Sequence, residues 1–94
     1  MLVERSEITI REGQEEGFAA VMNDRGLAML RGFPGVRAVR FGRGVENPGK
    51  FIILVEWDDM AAHDAFRQSE IYKPFGSLFG PFSTGGVMEH FEVD

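Results

Sequence analysis

Hydrophobic and polar positions are most sharply ordered over Lys50–Trp57, which reads Lys-Phe-Ile-Ile-Leu-Val-Glu-Trp. Phe51, Ile53, Val55 and Trp57 fall on one face of an extended chain. Ile52 and Leu54 fall on the other, where Glu56 is the only acidic residue. Such a stretch predicts a strand covered on both sides. A Glu46-Asn47-Pro48-Gly49 turn signal precedes it and Asp58-Asp59 follows it. Upstream, Glu4–Arg11 alternates more weakly, Ser6, Ile8 and Ile10 against Arg5, Glu7, Thr9 and Arg11, as in a strand with one polar face. Glu12-Gly13 breaks it. The period then changes. Phe18, Val21, Met22, Met29 and Leu30 share a helical face, so a helix is expected from about Gln14 to Arg31, with Glu15 and Glu16 favoured by the macrodipole in its first turn. Gly17 and Gly26 weaken this helix, and Gly26 could admit a close neighbour. Gly32-Phe33-Pro34-Gly35 ends it.

Val36–Arg43 reads as a second strand, Val39 and Phe41 on one face and Val36, Ala38 and Arg40 on the other. Gly42 and Gly44 suggest a bulge or bend near its end. The Glu46–Gly49 turn closes a hairpin in which Gly49 is expected at positive φ. Asp59 is the expected cap of a helix carrying Met60, His63, Phe66 and Arg67 on one face. After Gln68-Ser69-Glu70, a short helix over Ile71–Phe79 is expected, capped by Ser69 and broken at Pro74 and Gly76. Gly80 to Gly86 reads as loop. Val87–Val93 is the last strand, with Met88 and His90 facing away from Val87, Phe91 and Val93. The order strand–helix–strand–strand–helix–strand predicts one α+β domain over 1–94, a ferredoxin-like four-stranded antiparallel sheet with its helices on one face. The two-sided third strand then lacks a cover. The simplest one is a second copy, giving a homodimer joined through the sheet faces. Apolar area left exposed forgoes about 25 cal/mol per Å².

Composition narrows the function. The chain has 94 residues, no cysteine and a net charge of -5. Disulfides, thiolate chemistry and cysteine-bound metals are excluded, and a reducing cytoplasm is the expected compartment. The acidic balance opposes a nucleic-acid partner. The N-terminus becomes charged too soon for a signal peptide, and no apolar run approaches a membrane span. Nine Phe suggest an aromatic core, interface or cavity wall.

The chain resembles the antibiotic biosynthesis monooxygenase family of dimeric α+β barrels over roughly Ser6 to Val93. The specific part is Phe51-Ile-Ile-Leu-Val-Glu-Trp57, then Asp58-Asp59-Met-Ala-Ala-His63-Asp-Ala-Phe66-Arg-Gln-Ser69-Glu-Ile-Tyr72-Lys-Pro-Phe75. Gly13, Phe33-Pro34-Gly35 and Glu89-His90-Phe91 support it. The resemblance implies a ligand cavity between sheet and helices. It also implies oxygen chemistry without flavin or metal, in which a deprotonated phenolic substrate itself reduces dioxygen. The family's haem-degrading branch needs an Asn on the first strand and a Trp and a His in the second helical region. Glu4–Arg11 has no Asn, and Phe66 and Gly76 stand where that Trp and His would fall, so haem degradation is not implied.

Under this resemblance His63 is the candidate general base, its ordinary pKa lying near neutrality. The plainer reading is a half-buried histidine bonded to a neighbouring carboxylate or carbonyl. Tyr72 is the second catalytic candidate, on the short helix that would rim the cavity. Trp57, Phe66 and Phe75 are candidate substrate-binding walls, although a Trp at a strand end is more often core. Phe79 and Phe82 are lining or core. His90 could approach the same cavity or cap a sheet edge. Arg40 could donate to an anionic substrate, against the commoner solvated arginine. A metal site from His63, His90 and a carboxylate lacks a helical His pair or tight spacing, so no metal is expected. The leading function is a cofactor-independent oxygenase of a small aromatic, quinol-like or polyketide-like. The alternative is a non-catalytic small-molecule binding or sensing module on the same barrel. What discriminates the oxygenase from the binding module is whether His63 and Tyr72 converge on one apolar pocket or are dispersed in core and solvent.

Overall fold

The computed structural model describes residues 1–94. Four strands, β1 (Leu2–Ile10), β2 (Val36–Arg43), β3 (Lys50–Trp57) and β4 (Ser83–Glu92), form one sheet in the order β2-β3-β1-β4. All neighbours run antiparallel. Burial along β3 alternates strictly, with Phe51, Ile53, Val55 and Trp57 inside. Their cross-strand partners Ile8, Ser6, Glu4 and Leu2 on β1 therefore share that inner face. The helices cover it, which is the ferredoxin-like α+β arrangement expected. No helix is long and apolar enough to cross a membrane.

Between β1 and β2 the chain is helical throughout but not uniformly α. α1 (Glu15–Val21) and α2 (Leu27–Arg31) are joined by a π-helical turn over Met22–Gly26. One extra residue in a helical ladder rotates the downstream turns by about 100°. Phe18 and Met22 are buried as the spacing predicts, but beyond the π-turn Leu27 and Leu30 face inward and Met29 is only half-buried. Gly26 admits a close neighbour, though from its own helix. A Cβ there would lie 2.7 Å from Met22 Sδ. Phe18 anchors the aromatic core, its ring centroid 5.1 Å from Phe51 and 5.5 Å from Phe79.

Several local expectations change. β1 starts at Leu2, because Leu2 pairs with both Trp57 and Glu92. The bulge in β2 lies at its start, between Val36 and Ala38, and turns Val36 inward to pair with Trp57. Gly49 is not at positive φ; Gly13, Gly35 and Gly85 are. The turn is built instead by Asn47, whose side-chain Oδ1 accepts from the Gly49 N–H at 3.1 Å. β4 begins at Ser83, four residues before the expected Val87, since Gly85 and Gly86 pair with Thr9 and Ile8. Gly86 lies so close that a Cβ would meet Glu7 O at 2.6 Å.

β3 leads into α3 (Met60–Arg67), capped as expected by Asp59, which accepts from the Ala62 N–H at 2.9 Å. Of its predicted face, His63 and Phe66 are buried while Met60 and Arg67 are exposed. α4 (Tyr72–Ser77) contains Pro74 and Gly76 rather than breaking at them. Pro74 lies in the first turn, where its missing N–H has no helical acceptor to lose. Ser69 does not cap α4. Its hydroxyl donates back to Phe66 O at 2.7 Å, closing α3. The sheet's outer face carries no helix. Ile52 and Leu54 on β3 share it with Val3, Val87 and Phe91, and the last two are 63% and 42% exposed. Arg5, Glu7, Lys50 and Glu56 dilute this face, Glu7 pairing with Arg5 and with Lys50.

Candidate functional site

A cavity of about 820 Å³ lies between the inner sheet face and the helices α3 and α4. Its floor is Glu4, Ser6 and Ile8 of β1 with Ile53 and Val55 of β3. Its walls are His63, Phe66, Tyr72, Phe75 and Phe79, and β4 bounds it with Gly85, Gly86 and Met88. The size is that of a small-molecule site, and most of the lining surface is apolar.

The polar end is built on the sheet register. Glu4 sits on β1 directly opposite Val55 on one side and His90 on the other. Trp57, two residues beyond Val55, donates its indole N–H to Glu4 Oε1 at 2.9 Å, and the Ser6 hydroxyl donates to Glu4 Oε2 at 2.8 Å. Both carboxylate oxygens are thus held. α3 delivers His63 from above, its Nε2 3.6 Å from Glu4 Oε1. His90 Nε2 is 3.9 Å from the same oxygen, and the two imidazoles stand edge to face with centroids 4.3 Å apart. Trp57 packs edge-on against His63 at 5.3 Å. Neither imidazole is within hydrogen-bond distance of Glu4, and His63 Nδ1 and His90 Nε2 are buried without a partner.

Burial holds the His63 pKa below its ordinary 6.5. Glu4 pulls it partly back, and His90 pushes it further down. His63 is therefore a neutral imidazole at pH 7, able to accept a proton at the cavity wall. Glu4 faces it and would stabilise the imidazolium so formed.

Of the sequence candidates, His63, Tyr72, Phe66 and Phe75 all line this one cavity, and so does Phe79. Phe66 is the hub, its ring 5.5 Å from both Tyr72 and Phe75. Trp57 and His90 do not line it. Trp57 is core, 1% exposed, and reaches the site through Glu4; His90 stands beside His63. Arg40 is on the outer sheet face opposite Leu54, exposed, and does not meet this cavity. Phe82 packs under Phe18 rather than into it. Glu4 and Ser6 are the polar residues that sequence reasoning missed. The signal was present, since Glu4 is in phase with Ser6, Ile8 and Ile10. A metal ion could be held only where nitrogen and oxygen donors converge, and Glu4, His63 and His90 place one donor atom each within 4.8 Å of one another.

The family model for antibiotic biosynthesis monooxygenases matches residues 1–76. The chain is 28% identical over 94 residues to the uncharacterized Bacillus subtilis (strain 168) protein YczJ, covering 98% of both. Among solved structures, a candidate antibiotic biosynthesis monooxygenase from Bordetella bronchiseptica superposes with a TM-score of 0.90 at 22% identity, over 99% of this chain and 96% of that one. SnoaB, a cofactor-independent oxygenase from Streptomyces nogalater, superposes with a TM-score of 0.85 at 17% identity, over 98% and 91%. At these identities the two structures establish the shared fold.

Proposed function

Because this chain belongs to the antibiotic biosynthesis monooxygenase family, we propose that it is a cofactor-independent oxygenase of a small, electron-rich aromatic, of the quinol or polyketide-anthrone kind. The observation that carries the reading is the convergence of a neutral, buried His63 and the phenol of Tyr72 on one largely apolar cavity. His63 Nε2 takes the acidic proton of the bound substrate, and Glu4 balances the imidazolium. The resulting anion is electron-rich enough to reduce dioxygen within the largely apolar pocket. For an anthrone the balance is a CH₂ plus O₂ giving a C=O plus water. One oxygen atom enters the product, the other leaves as water, and the substrate supplies all the electrons. Tyr72, half-exposed at the mouth, orients the substrate through its hydroxyl. Phe66 and Phe75 hold the ring. The resemblance to SnoaB, itself described as cofactor-independent, favours the same reading.

The assembly belongs to the proposal. A second copy covers the outer sheet face, where Val87 and Phe91 are exposed beside Ile52 and Leu54. The test is oxygen uptake by the purified protein over a panel of quinols and anthrones, with chelator present and spontaneous oxidation subtracted. Uptake above background with at least one substrate supports the oxygenase. Binding of the same compounds by calorimetry with no uptake above background would instead favour a binding or sensing module.

A further inference from the structure

We infer that Glu4, His63 and His90 form a binding site for one first-row divalent transition ion of the zinc, cobalt or nickel kind. This goes beyond the oxygenase reading and does not depend on it. Glu4 and His90 face each other across the β1–β4 register, so two donors are fixed by the sheet itself. His63 enters from α3, completing a two-imidazole, one-carboxylate set whose donor atoms all lie within 4.8 Å of one another.

As they stand, the three groups are gathered without being hydrogen-bonded to one another. The Glu4 Oε1 separations of 3.6 Å to His63 Nε2 and 3.9 Å to His90 Nε2 are too long for hydrogen bonds. Yet metal bonds of about 2.1 Å place neighbouring ligands about 3.0–3.4 Å apart, which small side-chain rotations reach from here. A buried, unpartnered nitrogen is costly, and ligation of His90 Nε2 would satisfy one. When His63 Nε2 is a ligand, its Nδ1–H faces Asp64 Oδ1, 3.8 Å away. Glu4 is already oriented by Trp57 and Ser6, the outer-shell support that metal-binding carboxylates need.

The donor set selects the ion. Two nitrogens and one oxygen do not suit calcium or magnesium, which take oxygen ligands. They suit zinc, cobalt, nickel and their neighbours. Three protein ligands would leave coordination positions open, and two of the three, Glu4 and His63, border the cavity. An ion here takes the same His63 lone pair that proton abstraction uses.

The test is metal-free protein titrated at neutral pH with zinc by calorimetry and with cobalt by visible absorption. One ion per chain and cobalt d–d bands are expected. Glu4→Gln and His90→Ala should each weaken binding by about 100-fold or more, and Trp57→Phe by about 10–100-fold. Thermal unfolding of each variant identifies those that fold, and any folded one carries the test. No binding at millimolar ion, or unchanged affinity in folded Glu4→Gln or His90→Ala, would overturn the site and leave an adventitious ion only. The readout is binding rather than turnover. Failure here leaves the oxygenase reading standing, and failure of oxygen uptake leaves this one standing.

Discussion

His63 is neutral at pH 7 because burial penalises its charge more than Glu4 rewards it. Stability depends on pH for the same reason. The folded-state pKa lies below the unfolded value of 6.5, so the unfolded chain binds the proton more readily. The contribution of a neutral His63 is fully present above pH 6.5 and is lost as pH falls from there through the lower folded value. Urea midpoints should therefore drop in that window for the parent and drop less for His63→Phe. Equal slopes would show that His63 titrates normally. His63 can be singled out from sequence because an imidazole between Met60 and Phe66 is conspicuous on a helix. Glu4 cannot be weighed the same way. Its phase with Ser6, Ile8 and Ile10 puts it on the inner face, but a lone carboxylate ordinarily reads as solvated, and its bond from Trp57, 53 positions away, is what shows it held in the site. Trp57, a candidate wall by its sequence, is instead the group that holds Glu4.

Strands set by internal alternation were legible from the residues alone. β2 and β3 have the bounds that the pattern predicts. In β3 each buried side chain votes for the same register, whereas β2 keeps its bounds despite the register shift after Val36. β4 was half legible. Ser83 to Gly86 offer no alternation, and their strand geometry comes from β1, which lies too close to tolerate a Cβ at Gly86. The π-turn was invisible for a related reason, as it depends on how Met22 and Leu27 both find the core. Glycine roles likewise depend on neighbours more than on turn signatures. Gly35, not Gly49, holds positive φ, at 92°. A Cβ on Gly35 would also lie 2.5 Å from Ala62 Cβ, at the start of α3. Gly35→Ala should cost roughly 2 kcal/mol, combining left-handed strain with the clash. A denaturation midpoint equal to the parent's would show that the β2 entry and α3 can separate without loss.

One chain covers one side of its sheet, and the uncovered side is only partly polar. Ile52, Leu54, Val3, Val87 and Phe91 form its apolar part, with Glu7 and its two cationic partners among them. Sedimentation at micromolar concentration should give a dimer, and Phe91→Glu should shift it toward monomer. A stable parent monomer would show that the charged residues suffice to keep this face in water. The inner side is where the chemistry is proposed, and there the chain needs no partner to bring Glu4, His63 and Tyr72 around one cavity. If His63 is the base, its removal must cost turnover while the cavity survives. The measurement is oxygen uptake by His63→Ala against the parent, with a substrate that the parent turns over, chelator present and binding checked by calorimetry. A loss of about 100-fold or more with substrate affinity retained is expected. A variant as fast as the parent would contradict the assignment of His63 as the base.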